Sequence, residues 1–555
     1  SMKLVQTIAL FVSIIFYIQI LRYAYYKEKE DQLIVRSNNE HVKDPTKDSK
    51  DIHVHAADPT EDNKGTIPPS SKKTTSDKRK NILFLMADDL RPQLGAYRGK
   101  YFPAPVHPHM HTPNIDHLAS RSLLLKRAYC QLALCCPSRT SILTGRRPDS
   151  TKVYNLGTYF RETAENIITI PQYFKQHGYT SLGLGKVFHS GACSGKHDQI
   201  SWSEHSFQPI DLWKWKNSNV SWKAVTKEEE NARPLQDVLL TQQAIKEIRK
   251  FGERNYTKPF FLAVGFFRPH TPYIFPERFL DFYPKDTIRP PANPFPPTNL
   301  PLIGWNYYNH LRKYTDIAAY KNEGLPNKPL PLEPTLLVRR AYYACITYID
   351  YLIGQILDEL KVQNLHENTI ISFLGDHGYK LGEHGSWLKS TNFDIDTHAP
   401  MMISIPGVTD YGIETEELTE FVDLFPTLVE ASGLGNLPQC PKGDPAQVDA
   451  CHEGASLIPL IKNLSTKWKK EVFFQFKRSP YMGYSMKNDG YRYTEWIKLS
   501  ESGDPMWGDT KDVELYNHSS DPQENINYAH DESYTKLKAQ LSKQLRAGWR
   551  KSLPA

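Results

Sequence analysis

Four short apolar runs of this sequence are each followed directly by residues that bind metals or move protons. In chain order, these residues are Asp88, Asp89, Lys186, His189, His270, Asp376 and His377. The three carboxylates offer hard oxygen ligands that suit Ca²⁺ or Mg²⁺. His377 is either a fourth ligand or a hydrogen-bond donor to a group on the metal. Together with Lys389, the two histidines and Lys186 form a cationic lining. This combination predicts a site that holds an anionic ester between a dication and basic side chains.

A second candidate is the run Cys135-Cys136-Pro137-Ser138-Arg139, which is followed by Thr-Gly-Arg at 144–146. Pro137 suits the first turn of a helix, so Cys135 is expected just ahead of a helix N-terminus. Backbone N–H groups at such a terminus attract anions. Two adjacent cysteines before a helix are ordinarily small core residues, and spacing alone leaves that alternative open.

The elements that must position these residues are strands and helices in alternation. Apolar runs predict buried strands at Ile82–Ala87, Thr180–Leu184, Phe260–Phe266, Thr369–Leu374 and Met401–Ile405. Apolar residues three and four apart predict helices at Leu239–Phe251 and Val338–Leu360. This alternation indicates a doubly wound, mostly parallel α/β sheet. Ligands in such sheets bind beyond the carboxyl ends of the strands, where the polar residues lie.

Composition restricts the class of protein. The chain has 555 residues, 39% of them hydrophobic, and its 68 basic and 62 acidic residues give a net charge of +6. Such a length supports a sizeable core. A small excess of charge without a basic block or finger motif argues against a nucleic-acid partner. The seven cysteines are too few for a disulfide scaffold. Their odd number requires one thiol that is free or serves another purpose.

The globular part resembles the type I sulfatases across nearly its whole length. The resemblance rests on the Cys-x-Pro-Ser-Arg motif at 135–139, on Thr-Gly-Arg at 144–146, and on longer runs at 87–97, 183–189, 259–273 and 375–400. It implies an alkaline-phosphatase-like α/β fold, in which a large, mostly parallel mixed sheet lies between helices and a smaller C-terminal α/β subdomain follows. It also implies sulfate-ester hydrolysis.

The resemblance assigns a role to each candidate residue. Cys135 is the precursor of formylglycine, which the formylglycine-generating enzyme makes during maturation, and this use leaves six other cysteines. The implied ligands of one Ca²⁺ are Asp88, Asp89, Asp376, His377 and the formylglycine from Cys135. By the same resemblance, Arg139 is expected to hold the formylglycine in place. Lys186 and Lys389 are expected to bind sulfate oxygens, and His189 and His270 to assist proton transfer.

The substrate is less firmly indicated than the reaction. The Asp-His pair at 376–377 and the run GKVFH at 185–189 resemble the branch that removes 2-O-sulfate from iduronate in heparan or dermatan sulfate. Cys136 departs from the family, whose members more often carry Ala or Thr there, and its thiol could compete with Cys135 for oxidation. The stretch 473–485 lacks an insertion that supplies a basic contact to the sugar carboxylate, for which Lys477 or Arg478 can substitute. The alternatives are another sulfated glycan, a phosphate or phosphonate monoester, or a non-catalytic glycan-binding homologue.

The N-terminal region predicts entry into the secretory pathway. Leu4–Tyr26 is long enough to span a bilayer, so it is a signal peptide or an uncleaved single-pass anchor. Residues 27–80 are charged and poor in apolar side chains, which predicts a disordered stem. The destination implied is the lysosome, with a type II membrane protein of the Golgi or cell surface as the alternative.

Further along the chain, glycosylation sequons begin at Asn219, Asn255, Asn463 and Asn517. Cys440 and Cys451 close a short loop that fits a local disulfide. The expected organisation is therefore a signal or anchor at 1–26, a stem at 27–80, a catalytic subdomain at 81–461 and a C-terminal subdomain at 466–555. The last subdomain is expected to begin with a strand at Val472–Phe476 and to end with a helix near Tyr534–Trp549.

Overall fold

A computed structural model describes residues 79–99, 104–213, 219–443 and 448–554. The expected anchor and nearly all of the expected stem lie outside these ranges. Within them, no helix combines the length and the apolar character that a membrane crossing requires.

The described ranges contain strands in four sheets. In chain order, the strands are β1 (Asn81–Ala87), β2 (Leu123–Tyr129), β3 (Thr180–Gly185), β4 (Trp222–Val225), β5 (Phe260–Phe266), β6 (Tyr273–Pro276), β7 (Thr369–Gly375), β8 (Lys380–Leu381), β9 (Trp387–Leu388), β10 (Met401–Ser404), β11 (Ile413–Glu420), β12 (Val472–Arg478), β13 (Tyr481–Lys487), β14 (Tyr491–Leu499) and β15 (Pro505–Asn517). The five predicted strands correspond to β1, β3, β5, β7 and β10. Strands β2 and β11 were not predicted. Charged residues interrupt the apolar run of β2, and β11 contains many acidic residues.

The largest sheet has the strand order β11-β2-β10-β7-β1-β5-β3. Strand β10 is antiparallel to both of its neighbours, and the other pairings in this sheet are parallel. The sheet is therefore mixed and mostly parallel, as the sequence predicts. The four strands with reactive residues after them, β7, β1, β5 and β3, are consecutive neighbours and run in the same direction. Their carboxyl ends consequently meet at one edge of the sheet.

Helices cover both faces of this sheet. The longer ones are α1 (Pro113–Ala119), α2 (Cys135–Thr144), α3 (Ile170–Gln176), α4 (Lys227–Ala232), α5 (Gln236–Phe251), α6 (Leu332–Val362), α7 (Leu424–Ala431), α8 (Ile458–Lys462) and α9 (Thr535–Ala547). Single helical turns lie at Pro148–Thr151, Phe160–Thr163, Asn309–Arg312, Thr315–Ala318 and Asp394–Thr397.

The alternation of side chains along β1 shows why the sheet is buried on both faces. Leu83 and Leu85 pack into a core formed with α5 and α6, while Ile82 and Phe84 pack into a second core formed with α2, α3 and α7. This arrangement confirms the doubly wound prediction. Helix α6 begins earlier than predicted, because its first turn contains Pro334 and lacks the apolar spacing on which the prediction depended.

The C-terminal part is a meander of four antiparallel strands in the order β12-β13-β14-β15, against which α9 packs. Met482 and Tyr493 of the sheet contact Leu541 and Leu545 of the helix in a core of their own. The predicted strand at 472–476 lies within β12, and the predicted C-terminal helix contains α9. The structure therefore has the smaller α/β unit that the sequence predicts.

The cysteines differ in part from expectation. The predicted disulfide between Cys440 and Cys451 is present. The expectation that Cys136 is a free competing thiol is wrong, because Cys136 is paired with Cys193 in a second disulfide. Cys130, Cys135 and Cys345 are buried and unpaired. Three cysteines are therefore unpaired, so the odd number of cysteines does not by itself identify Cys135. Cys130 and Cys345 are also free thiols, and both are buried in the core.

Candidate active site

Cys135 is the first residue of helix α2. Leu134 precedes it in an extended conformation, and the helix ends at Gly145, whose positive φ of 64° allows the αL cap. All ten residues of this helix are buried, so its position is fixed by packing on every side. Burial raises the pKa of the Cys135 thiol well above its usual value, and the nearby Asp88 carboxylate raises it further.

Possible metal ligands surround this residue. The ligand atoms of Asp89, Cys135, Asp376 and His377 all lie within 4.8 Å of one another. The Nε2 atom of His377 is 3.4 Å from Oδ1 of Asp89 and 3.5 Å from the sulfur of Cys135. The other carboxylate oxygen of Asp89, Oδ2, is buried and has no hydrogen-bond partner among the described residues. The donor set is therefore oxygen-rich and retains one buried oxygen that accepts no hydrogen bond from the described residues.

The backbone at Asp89 is held in an unusual conformation. Its φ is 61°, which lies in the left-handed region that non-glycine residues seldom adopt. Its N–H donates to Oδ1 of Asp376 at 2.9 Å, and its carbonyl oxygen accepts the Tyr342 hydroxyl of α6 at 2.8 Å. Two buried hydrogen bonds thus impose the conformation and aim the carboxylate at Cys135. Tyr342 was not predicted, because its position in a run of apolar helix residues indicates only a core contact.

Arg139 connects α2 to the ends of three strands. Its Nε donates to Oδ2 of Asp376 at 2.9 Å, and its Nη2 donates to Oδ1 of Asp88 at 3.1 Å. Its Nη1 donates to the carbonyl oxygen of Val187 at 3.1 Å. Burial raises the pKa of Asp88, but the positive charges of Lys186 and Arg139 outweigh burial and hold the pKa well below its usual value. Asp88 is therefore ionised.

Two lysines complete the charged cluster. The ammonium of Lys186 contacts Asp88, and that of Lys389 contacts Asp89. Burial lowers the pKa of Lys389, but Asp89 and its neighbours outweigh burial and raise it above its usual value. Both residues are buried. Three aspartates therefore face three cationic side chains, those of the two lysines and of Arg139, in a site that excludes most water.

Gly265 of β5 brings the loop after β3 close to this cluster. A Cβ atom at that position would lie 2.1 Å from the carbonyl carbon of Lys186. Only glycine therefore permits the chain to pass there and to place the Lys186 side chain over Asp88.

His270 lies in the turn after β5, and a carboxylate from α5 fixes that turn. Asp237 accepts the backbone N–H groups of Phe267 and Arg268 at 2.8 and 3.2 Å. The Nδ1 of His270 is 2.5 Å from the carbonyl oxygen of Thr271, so its Nε2 faces the cluster, 3.8 Å from Oδ2 of Asp89. Burial lowers the pKa of His270 well below its usual value, and the two lysines contribute in the same direction.

His189 lies nearer to solvent than His270. Its Nδ1 is 2.6 Å from the carbonyl oxygen of Ser190, which leaves Nε2 available. Burial, reinforced by Lys186, lowers the pKa of His189 to about 4. His310, which the sequence analysis missed, has its ring 6.0 Å from that of His270. It stands in a proline-rich connection without periodicity, so no signal in the sequence identifies it.

The metal-ligand, nucleophile, sulfate-binding and proton-transfer candidates from the sequence thus all lie in or beside one cluster. Comparison with known proteins identifies the family. The sequence profile of the Sulfatase family matches residues 80–434, and that of the C-terminal region of N-sulphoglucosamine sulphohydrolase matches residues 382–551. The chain belongs to the sulfatase family. It is accordingly a sulfuric ester hydrolase.

Relatives of this sulfatase support the assignment along most of its length. It is 34% identical to iduronate 2-sulfatase of Mus musculus over 517 residues, which cover 82% of this chain and 91% of the relative. A phosphonate monoester hydrolase from Silicibacter pomeroyi has a similar fold, with a TM-score of 0.64 at 19% identity, covering 86% and 96% of the two chains. A structure in complex with its substrate D-glucosamine-2-N,6-O-disulfate has a TM-score of 0.61 at 20% identity, covering 86% and 99%. These two neighbours confirm the alkaline-phosphatase-like sulfatase fold.

Proposed function

We propose that this sulfatase removes the 2-O-sulfate of iduronate in heparan or dermatan sulfate, with one bound Ca²⁺ and a formylglycine made from Cys135. The observation that carries the proposal is the convergence of Asp88, Asp89, Asp376 and His377 on Cys135. The relation to iduronate 2-sulfatase supports the choice of sugar.

The donor set suits calcium. Asp88, Asp89, Asp376 and His377 would hold the ion together with the side chain at position 135. Oδ2 of Asp89 is buried without a hydrogen-bond partner in the described part of the chain, which supports the presence of a cation. Oxygen donors from three carboxylates are characteristic of Ca²⁺ or Mg²⁺ sites and not of zinc sites. When bound, the dication supplies positive charge that stabilises the negative oxygens of the sulfate group.

The position of Cys135 suits its proposed modification. It lies at the N-terminus of α2, where unpaired N–H groups favour an anion. The formylglycine supplies an aldehyde whose hydrate provides the attacking hydroxyl. Arg139 would hold this residue in place through the ion pairs that already fix it to Asp88 and Asp376.

The remaining residues bind the ester and move protons. Lys186 and Lys389 would contact the sulfate oxygens, because their ammonium groups lie against Asp88 and Asp89 beside Cys135. Hydrolysis breaks the sulfur–oxygen bond, and the departing sugar oxygen needs a proton. His270 and His189 are proposed to assist this transfer, since each has its Nδ1 at a backbone carbonyl, which leaves the Nε2 of the neutral ring free to accept the proton of the attacking hydroxyl and then to donate it to the sugar oxygen.

Arg478 is the proposed contact to the uronate carboxylate. Its Nη2 donates to the carbonyl oxygen of Ser390 at 2.6 Å, which places the guanidinium next to Lys389. No carboxylate in the described part of the chain lies within ion-pair distance of it. Lys477 instead lies over the ring of Tyr154, on the other face of β12. Arg478 therefore provides the unpaired positive charge that a sugar carboxylate requires.

A panel of defined disaccharides tests the substrate. We expect sulfate release from 2-sulfated iduronate and no release from 6-sulfated glucosamine. Arg478→Gln should raise KM for the iduronate substrate by about tenfold, as expected for a lost charged hydrogen bond, and leave KM for an aryl sulfate that has no carboxylate unchanged. Lys477→Gln is the matched control. Equal effects on both substrates would contradict the role of Arg478, and preference for a different sulfated sugar would contradict the substrate.

Two disulfides indicate that the protein folds in an oxidising compartment. We propose the lysosome as its destination, reached after modification by the formylglycine-generating enzyme.

Asn255 and Asn463 are exposed, whereas the Asn517 amide is partly buried and donates to the Tyr534 hydroxyl. Glycans are therefore expected more readily at Asn255 and Asn463 than at Asn517.

Carbonate washing of membranes tests the N-terminal anchor: release of a chain that begins after Tyr26 would exclude it.

A further inference from the structure

Lys389 follows strand β9 directly and lies in a backbone segment of unusual conformation. The residues on either side of it, Leu388 and Ser390, have φ angles of 71° and 86°. These values lie in the left-handed region that non-glycine residues seldom adopt. Such residues persist only where surrounding contacts impose the conformation. The contacts that hold residues 387–390 therefore determine where the Lys389 side chain points.

One side chain from a distant part of the chain holds two carbonyl groups of this segment. Nδ2 of Asn306 donates to the carbonyl oxygen of Trp387 at 3.3 Å and also to that of Lys389. Both of these residues are buried, so their carbonyl groups need a protein donor. The bridge spans Leu388 and Lys389, so one amide group closes the turn that contains the lysine.

Separate contacts hold the segment after Lys389. The backbone N–H of Ser390 donates to the carbonyl oxygen of Ala133 at 3.1 Å, and the Ser390 carbonyl oxygen accepts from Nη2 of Arg478 at 2.6 Å. Removal of the Asn306 amide would therefore release the turn on one side of the lysine while the other side stays attached.

Asn306 is itself fixed in the connection between β6 and α6. Its Oδ1 accepts the backbone N–H of Tyr308 at 3.0 Å, which forms a local turn, and its carbonyl oxygen accepts the Ser386 hydroxyl at 3.1 Å. The preceding Trp305 is buried, and its indole N–H donates to the carbonyl oxygen of Gly324 at 2.9 Å. The amide is thus held in place before any substrate binds.

We infer that Asn306 is a positioning residue for sulfate-ester hydrolysis, which holds the backbone around Lys389 so that the ammonium group reaches the sulfate. An amide nitrogen carries two N–H donors, and the carbonyl oxygens of Trp387 and Lys389 accept from this one, so no donor remains for the substrate. Asn306 therefore acts through Lys389. The inference rests on the proposed role of Lys389 as a sulfate ligand.

The test is the affinity of the mature enzyme for inorganic sulfate, measured by calorimetry and as the inhibition constant against an aryl sulfate. Asn306→Leu removes the donor at nearly constant side-chain volume and should weaken sulfate binding about tenfold, as for a lost charged hydrogen bond. Lys389→Met should weaken it at least as much, and adding Asn306→Leu to Lys389→Met should change it no further. Asn322→Leu is the matched control and should bind sulfate normally, because Nδ2 of Asn322 likewise donates to two carbonyl groups of the same connection, those of Lys328 and Pro329.

Three results would overturn the inference: unchanged sulfate affinity in Asn306→Leu, an equal loss in Asn322→Leu, or a further loss when Asn306→Leu is added to Lys389→Met. Unchanged affinity in Lys389→Met would overturn it together with the proposed sulfate-binding role, which the other three results leave intact. An affinity refers to the folded enzyme, so partial unfolding of a variant does not imitate the loss. Asn306→Ala removes the same donor with less bulk and replaces Asn306→Leu if that variant does not fold.

Discussion

Cys136, the neighbour of the proposed nucleophile, is joined by a disulfide to Cys193, four residues after His189. The cross-link ties the start of α2 to the loop that carries this histidine. It also removes the thiol that would otherwise stand beside Cys135. The two reactive elements of the site are therefore held together by a covalent bond that spans 57 residues of sequence.

The first prediction concerns the stability that this bond provides. Chain entropy predicts that removing it by C136S/C193S lowers the free energy of unfolding by about 4 kcal/mol. Removing the Cys440–Cys451 bond, whose partners are 11 residues apart, is the matched control and should cost about 3 kcal/mol. Denaturant unfolding measures both. A larger loss for the shorter loop would show that the Cys136–Cys193 bond does not stabilise the fold in this way.

The second prediction concerns Asp237, which positions His270 without touching the cluster. Asp237→Ala leaves two buried backbone N–H groups without their acceptor, which should cost about 2 kcal/mol or more. The turn that carries His270 should shift, so kcat should fall about a hundredfold while KM changes little. Asp116→Ala, which removes the acceptor of the Ala96 N–H on another part of the protein, is the control. Unchanged kcat in Asp237→Ala would contradict the positioning role.

The third prediction concerns stability in acid. Burial raises the pKa of Glu383, but the guanidinium groups of Arg91 and Arg339 at 3.1 and 3.0 Å outweigh burial and hold the pKa at about 2. The folded carboxylate binds its proton less readily than the unfolded one, whose pKa is near 4.5. The ion pairs therefore contribute fully above pH 4.5, by about 3 kcal/mol, and that contribution is lost as the pH falls through 2.

Comparison of the wild type with Glu383→Gln across this range measures the effect. The difference in free energy of unfolding should be constant from pH 7 to about 5, which includes the mildly acidic conditions of a lysosome, and should narrow at lower pH. If the difference in free energy of unfolding widened as the pH falls, the predicted direction of the Glu383 pKa shift would be wrong.

The fourth prediction concerns calcium. Ca²⁺ at a hundred times its dissociation constant should stabilise the folded protein by about 2.7 kcal/mol, and a chelator should reverse the rise in melting temperature. Asp89→Asn should abolish the response. Asp350→Asn alters another buried carboxylate, which accepts the backbone N–H of Ile115, and should retain the response. A response in Asp89→Asn equal to that of the wild type would place the ion elsewhere.

The sequence was most informative where chemistry follows a strand. The sequence alone predicted that Asp88, His270 and Asp376 lie close together, because parallel strands end at the same edge of a sheet. Strand β11 was missed, because it lies at the sheet edge and alternates acidic residues with partly buried ones.

The supporting residues could not be predicted for a different reason. Tyr342 and Asp237 act through hydrogen bonds to residues that are distant in sequence, and each stands in a helix whose pattern indicates only packing. The partner of Cys136 could likewise not be predicted from spacing, because Cys193 lies in a single 3-10 turn, Ala192–Ser194, that no sequence pattern indicates. The roles of Tyr342, Asp237 and Cys193 follow from their contacts in the folded structure and not from their residue types.

The central claim is that Cys135 becomes formylglycine. The most direct measurement is mass spectrometry of the reduced tryptic peptide Ala128–Arg139 from protein made together with the formylglycine-generating enzyme. We predict that position 135 loses its sulfur and carries an aldehyde, while Cys130 and Cys136 in the same peptide remain thiols after reduction. A peptide in which all three positions are thiols, from protein that nevertheless releases sulfate, would contradict the claim.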